Sequence, residues 1–215
     1  MAIFLNSYHP LCKYPKGREA IEIFNHKPFV DGSCRREPDF ENKFPAITGL
    51  CRTDKLINRL NENDLIIYIT VKMSYEGLLG WYFVGILQVL RLENNHIDAA
   101  EWYVNNGLPS SQNVCTPHSA PLHYKHSHYR APYFDRYGNP DIRKWNLEYR
   151  QRSIDYPKVA ICQVWNENLY LESPFLLSRE TMTEIFNRIP GTQNPPTLDP
   201  FEWSNFQTIV LDNIQ

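Results

Sequence analysis

The chain has no long apolar run and no strong excess of charge. No stretch of its 215 residues is apolar over the length needed to span a bilayer. The formal net charge is -2 at pH 7, so no global field draws the protein to nucleic acid, and any such contact must come from a local patch. The N-terminus lacks the basic and long apolar regions of a secretory signal. We therefore expect a cytoplasmic protein without membrane contact.

The sequence also lacks the paired cysteines and short motifs that mark several common chemistries. Its cysteines are odd in number and form no Cys-x-x-Cys pair: Cys12, Cys34, Cys51, Cys115 and Cys162. This pattern argues against a disulfide framework and for a reducing compartment. No P-loop, dinucleotide fingerprint or His-Glu-x-x-His motif is present. The sequence therefore gives no indication of a P-loop nucleotide site, a dinucleotide site or a zinc-protease site.

The clearest structural signal lies between Asn63 and Leu92. Two dense runs of β-branched and aromatic residues follow the turn signal Asn63-Asp64, and Gly85 lies in the middle of the second run. Such runs are typical of consecutive strands in a small barrel. A glycine inside a strand marks a bend of the wall or the close approach of another backbone.

Weaker local patterns predict the remaining elements. Strands are expected at residues 3–8 and 158–165, with a turn at 166–168 and a hairpin partner at 169–172. Helices are expected at 18–24, 54–60, 96–106 and after Ser178, where Thr181 and Glu184 have capping-box spacing, with a helix or strand at about 200–211. Residues 9–45 and 108–157 are long loops, although 143–152 are compatible with a helix. We expect one α+β domain over residues 1–215, a small mixed or antiparallel β-barrel with peripheral helices and a helical extension at 178–215.

The order of these elements resembles the PUA-like superfamily, which includes the EVE, ASCH and YTH domains. Asn63-Asp64 stands at the turn before the first strand, Tyr68 lies near the end of that strand, and residues 84–89 (Val-Gly-Ile-Leu-Gln-Val) match the second. The resemblance covers residues 1–8 and 54–172, while the loop after residue 8 is longer and the tail at 188–196 has no counterpart. It implies a barrel whose pocket accepts a base, including a modified one, flipped from RNA or DNA. In prokaryotes such modules accompany modification or defence systems.

Aromatic side chains are the first candidates for a ligand site. Base binding needs a flat ring, because stacking stabilises by roughly 1–3 kcal/mol per base. The rings near the expected barrel mouth are Tyr8, Tyr68, Trp81, Trp102 and Tyr103. The alternative for each is ordinary core packing.

Basic residues are the second candidates, since cations hold nucleic-acid phosphates. Arg35 and Arg36 form one pair. A later stretch interleaves cations with tyrosines: Lys125, Arg130, Arg136, Arg143, Lys144, Arg150 and Arg152 with Tyr124, Tyr129, Tyr133 and Tyr137. This stretch predicts a backbone-binding surface or, alternatively, a solvated face with its own ion pairs.

Histidines and cysteines are candidates for a metal site or for catalysis. Cys115-x-x-His118 resembles half of a zinc site, and His9-x-x-Cys12 is its mirror image, so these four could form a tetrahedral set. The alternative is a histidine-rich loop over the barrel mouth that bonds neighbours or phosphates. Cys34 and Cys51 each precede arginine, which could activate a thiolate, although a buried thiol is the usual outcome. We expect no cofactor.

The sequence predicts first a binding module for nucleic acid or a nucleotide, without catalysis of its own. It would read a base in an aromatic pocket while the basic loop holds the backbone. One alternative is an enzyme acting on nucleotides or nucleic acid, in base modification or as a nuclease, using the histidine-rich loop with or without metal. Another is a subunit that docks a protein partner.

Overall fold

The computed structural model describes residues 1–50, 55–129, 134–139, 141–191 and 194–214. This part of the chain is a mixed α+β fold in which a curled sheet forms a half-barrel. The strands are β1 (Ile3–Tyr8), β2 (Ala46–Thr48), β3 (Leu65–Thr70), β4 (Met73–Tyr75), β5 (Leu78–Glu93), β6 (Val159–Leu169) and β7 (Phe175–Leu177). The α-helices are α1 (Pro15–Phe24), α2 (His96–Asn105), α3 (Ile142–Asp155), α4 (Arg179–Phe186) and α5 (Pro200–Ile209).

β5 is the strand around which the sheet is organised. The strand order is β1-β3-β5-β6-β2, with β4 and β7 also paired to β5. β1 runs parallel to β3, and the other pairs are antiparallel. The strands predicted between Asn63 and Leu92 are confirmed as β3 and β5, and β4 lies between them.

The sheet has an apolar core on each face, because side chains alternate between the faces along a strand. On one face, Tyr68 and Val84 belong to a core that includes residues of the long segment 9–45. On the opposite face, Ile67 and Phe83 belong to a core with residues of α4 and α5. Each long sheet strand thus contributes to two separate cores.

Gly85 marks the place where β6 departs from regular pairing. Gly85 lies opposite Leu169 and Leu87 lies opposite Val164, so four residues of β6, numbers 165–168, face one residue of β5. A Cβ atom on Gly85 would lie only 2.9 Å from the carbonyl oxygen of Asn168. The close approach of a second backbone, one of the two meanings expected for this glycine, is confirmed. The predicted hairpin at 166–172 is wrong, because β6 continues through a bulge to residue 169.

The two predicted long loops pack against each other. Residues 28–34 lie between residues 9–12 and residues 122–128. The backbone N–H of Leu11 donates to the Val30 oxygen (2.9 Å) on one side, and that of Leu122 donates to the Cys34 oxygen (2.8 Å) on the other. Backbone groups that would otherwise need water are therefore paired within the protein. The segment that the sequence predicts as irregular is an ordered layer over the sheet.

The helices differ from their predictions mainly at their ends. α1 begins at Pro15, where the fixed φ of proline suits the first turn, rather than at residue 18. The helix expected at 54–60 is a single 3-10 turn, Ile57–Arg59. α2 is confirmed, and so is the Ser178 cap of α4, whose side chain accepts from Thr181 N–H. The capping box belongs instead to Asp199 and Glu202 of α5. Within the described ranges, no helix is long and apolar enough to cross a membrane.

Candidate functional site

Tyr8 and Tyr68 lie inside the core beneath the loop layer. They are 3% and 1% exposed, and the ring of Phe40 meets both edge-on at 5.4 and 5.2 Å between centroids. The Tyr8 hydroxyl donates to the Phe29 carbonyl at 2.6 Å. A base could not reach either ring without displacing Phe40. Both tyrosines therefore pack in the core, whereas the sequence predicted that they line a ligand pocket.

The other three expected rings lie on different parts of the fold. Trp81 is buried in the core beneath α4 and α5, and the Lys72 ammonium lies 5.3 Å from its ring centre. Tyr103 is fully buried, and its hydroxyl donates to the Phe44 carbonyl. Trp102 is half-buried, with its ring 5.6 Å from that of Phe44. The five rings thus do not converge on one pocket.

Arg35 and Arg36 are fully buried, which differs from their expected role in binding phosphates. Arg36 donates to the carbonyl oxygens of Asp31 (2.5 Å) and His126 (3.0 Å), and its Nε lies 3.4 Å from a Glu41 oxygen. A buried guanidinium needs such acceptors, because an unpaired charge inside the protein costs several kcal/mol, on the order of 3–5. Its hydrogen bonds are the reason that it can remain inside.

Two carboxyl groups of the same segment, Asp31 and Glu37, also lie largely inside the protein. Asp31 accepts from the backbone N–H groups of Ser33 (2.9 Å) and Glu37 (3.1 Å). Glu37 accepts from the Thr48 N–H at 2.6 Å and from the Thr48 hydroxyl. Burial raises the pKa of Asp31, and it raises the pKa of Glu37 to about 8. The acidic segment 31–39 is therefore a largely buried polar layer that helps to fix the fold.

Four of the seven histidines lie in two close pairs, His26 with His126 and His9 with His128. His26 Nε2 lies 3.1 Å from His126 Nδ1, and a Glu41 oxygen lies 3.8 Å from His26 Nδ1. Burial, and next the Arg36 charge, lower the pKa of both histidines. His9 belongs to the second pair, and its Nδ1 lies 3.0 Å from the Tyr14 hydroxyl. A partly exposed pair of neutral imidazoles next to a carboxylate can accept and pass protons.

The four residues considered for zinc occupy different surroundings. Cys12 belongs to the large core beneath the loops, whereas Cys115 belongs to a small cluster with Cys34 and Trp145. His118 is exposed. Among the described residues, no group of three or more His, Cys, Asp or Glu side chains is placed to hold a metal ion.

The predicted basic and aromatic stretch forms a cleft on α3. Trp145 and Tyr149, one helical turn apart, pack towards Cys34 and Cys115, which explains why this weakly amphipathic segment is helical. Their outer edges, with Tyr129, Glu148 and Arg152, line a cavity of about 170 Å³. Tyr129 is 40% exposed, and its ring meets that of Trp145 at 6.0 Å and 74°. This cleft combines rings, a carboxylate and a cation.

Further cations lie on α3 and on the loop that precedes it. Arg143, Lys144 and Lys125 are exposed. Arg152 donates to the Leu50 carbonyl at 2.9 Å, and Arg150 donates to the Pro117 carbonyl, so these two also hold α3 in place. Arg130, Tyr133, Cys51 and Arg52 lie outside the described residues.

Trp145 and Tyr149 are the site residues that sequence reasoning did not single out. Their spacing of four residues, inside a segment compatible with a helix, was the available signal. Beneath them, the Arg35 guanidinium lies 5.5 Å from the centre of the Tyr149 ring. The buried arginine thus supports the cleft from inside instead of contacting a ligand.

No protein-family model matches this chain, and a comparison with curated proteins also finds no match.

Proposed function

We propose that the protein binds nucleic acid or a nucleotide at the α3 cleft, with one base stacked against an aromatic side chain and the phosphates held by cations of α3. The observation that carries this proposal is a ring-lined cavity, with Arg152 in its wall, on a helix that also exposes Arg143 and Lys144. Stacking accepts any base, while cations hold the backbone. The PUA-like barrel and a place in a prokaryotic modification or defence system belong to the same proposal.

The size and chemistry of the cleft fit one base rather than a whole nucleotide. Its volume of about 170 Å³ is below the roughly 300 Å³ at which sites for drug-sized ligands begin. The sugar and phosphate would therefore remain outside, next to Lys144 and Arg143. Glu148 lines the cavity, and a carboxylate accepts hydrogen bonds from amino or N–H groups on a base edge. Bases that present such a donor are favoured.

The test uses fluorescence anisotropy with labelled single-stranded oligonucleotides and increasing KCl. Tyr129→Ala should weaken binding by about 1–3 kcal/mol, because it removes an exposed stacking ring. Tyr137→Ala is the matched control, since Tyr137 is also exposed but does not line the cleft. Arg143→Gln and Lys144→Gln should each reduce the salt slope by about 1. Equal affinity of the two tyrosine variants, or no binding at low salt, would contradict the proposal.

A catalytic function is the second candidate, because of the close pair His26 and His126 beside Glu41. The lowered pKa values favour neutral imidazoles, which can act as bases at neutral pH. Mass spectrometry of incubated oligonucleotides would reveal strand cleavage or a changed base, and His126→Gln should abolish that change. Recovery of unaltered oligonucleotides would exclude this second function and leave the binding function standing.

A further inference from the structure

The bulge of β6 creates a second cavity, on the side of the sheet that faces α5. Residues 165–168 leave the regular ladder opposite Ile86, and Gly85 allows this by lacking a Cβ atom. Within the bulge, Asn166 and Glu167 have φ values of 54° and 60°. Asparagine adopts this left-handed conformation readily, whereas glutamate does so at a cost. Bulges of this kind redirect side chains and are frequent beside functional sites.

The walls of this bulge pocket are mostly aromatic. Phe83, Trp165 and Tyr170 line a cavity of about 220 Å³, and Leu211 and Ile214 close it from the C-terminal side. The Trp165 ring is fixed from behind by Trp203, whose ring centre lies 6.1 Å away. Rings held in this manner present flat apolar surfaces at little entropic cost. The shape favours a planar ligand of about the size of one or two fused rings.

Two amide side chains give the bulge pocket its polar edge. Asn166 and Asn168 line it, and both side chains are exposed, so their amides are accessible to a ligand. Each amide offers two donors and one acceptor. Tyr170 lines the same cavity, and its hydroxyl can both donate and accept a hydrogen bond. These groups would suit a ligand that carries both donors and acceptors on its edge.

Among the described residues that line the pocket, none has a charged side chain. An ionised ligand would therefore lose its hydration without gaining a counter-charge, which is costly. The α3 cleft differs in this respect, because Glu148 and Arg152 line it. The two cavities thus predict different ligand charges.

We propose that the bulge pocket binds a neutral planar heterocycle, stacked on Trp165 and Tyr170 and hydrogen-bonded at its edge by Asn166 and Asn168. This site is independent of the proposed function at the α3 cleft, because the two cavities share no lining residue and only the cleft is charged. The ligand needs no phosphate.

Adenine, cytosine and nicotinamide are suitable probes, with benzene as a ring that lacks a polar edge. Binding is followed by NMR through the indole N–H of Trp165, assigned with Trp165→Phe, and the side-chain amides of Asn166 and Asn168. At least one heterocycle should shift these signals more strongly than benzene does. The affinity should stay constant as KCl rises, whereas oligonucleotide binding at the α3 cleft should weaken.

Two variants test the polar edge without disturbing the backbone. Asn166→Gly removes the amide and keeps the left-handed conformation, which glycine adopts freely. Asn168→Ala removes the second amide. Each substitution should lower the affinity for the heterocycle about two- to tenfold. Asn94→Ala, at an exposed site outside the pocket lining, should leave the affinity unchanged.

Three outcomes would overturn the proposal. They are the absence of any shift with all three heterocycles, binding of benzene as strong as theirs, and full affinity in both pocket variants. Because Tyr129→Ala does not touch this pocket, its effect on oligonucleotides separates failure of the proposed function from failure of this site.

Discussion

Arg35 and Arg36 are adjacent in sequence and both fully buried, yet their guanidinium groups point to different parts of the fold. Arg35 donates to the Gln112 carbonyl (3.1 Å) and the Ser119 hydroxyl (3.2 Å), and lies over the Tyr149 ring. Arg36 donates to the Asp31 and Ser33 carbonyls and to that of His126. One dipeptide therefore joins the 31–36 segment to two separate parts of the later loop, near residues 112–119 and at residue 126.

Arg36→Met is expected to destabilise the protein by about 3–5 kcal/mol, the range for breaking a buried charged network. The substitution keeps an apolar stem but leaves several buried carbonyl groups without a donor. Urea unfolding followed by circular dichroism measures the loss. Arg143→Met, at an exposed position of α3, should change stability by no more than about 0.5 kcal/mol. Similar midpoints for the two variants would contradict the structural role of Arg36.

Between about pH 6.5 and 8, stability is expected to fall as the pH rises, because of Glu37. Burial raises its pKa from an ordinary 4.5 to about 8 in the folded state. Between these values the folded state holds a proton that the unfolded state has released, so the free energy of unfolding decreases by up to about 1.4 kcal/mol per pH unit. Asp31 and Asp39, whose pKa values burial also raises, contribute in the same direction. Below about pH 6.5 the histidines whose pKa values are lowered act in the opposite direction, because the unfolded state binds the protons that they exclude. These histidines are His26, His96, His126 and His128.

Glu37→Gln should flatten this pH dependence, since glutamine does not titrate. Thermal melts of the unmodified protein and of Glu37→Gln at several pH values measure this pH dependence. Glu22→Gln, at an exposed position of α1, is the control. A curve for Glu37→Gln as steep as that of the unmodified protein would show that this carboxyl is not the source.

Gly85→Ala is expected to destabilise the fold by about 1–3 kcal/mol. Its Cβ atom would lie 2.5 Å from a Leu169 methyl carbon and 2.9 Å from the Asn168 oxygen, and its φ of 155° disfavours a side chain. Gly191→Ala is the control, because a Cβ there meets nothing within 4 Å. Chemical unfolding of both variants tests the difference. If Gly85→Ala were as stable as Gly191→Ala, the close backbone approach would be wrong.

Removal of divalent metal is expected to leave thermal stability unchanged. Burial raises the pKa of Cys12 to about 12, whereas zinc binds a thiolate. Cys115 lies in a different apolar cluster. Melting curves with and without EDTA, together with elemental analysis of the purified protein, provide the measurement. Stoichiometric zinc, or a clear drop in melting temperature with EDTA, would contradict this prediction and support a zinc site at His9, Cys12, Cys115 and His118.

The features predictable from the sequence are those encoded within one element. The dense β-branched runs identify β3 and β5, and the periodic residues after Asn95 identify α2 with Gly107 at its end. The Ser178 cap is likewise a local signal. In each case the residues that determine the structure are close together in the chain, so propensity and periodicity are sufficient.

The features that escaped prediction depend on partners far away in the chain. Arg35 and Arg36 have the sequence signature of a surface pair and are buried only because loops more than 70 residues away supply acceptors. Residues 166–168 have the composition of a turn. They form a bulge within β6 because Gly85, on the neighbouring strand, leaves room for their backbone. Trp145 and Tyr149 line a cleft because α3 packs on residues of the earlier loops, such as Cys34 and Cys115.

The central position of β5 has a consequence for how the protein is made. Its partner β3 precedes it in the chain, but β6 and β7 begin only after residue 158. During synthesis, the backbone groups along one edge of β5, a long strand rich in aromatic and β-branched residues, therefore stay unpaired until β6 has left the ribosome. Open edges of this kind pair readily with other chains. We expect chaperone binding to nascent chains that end between β5 and β6, and its release once β6 has emerged.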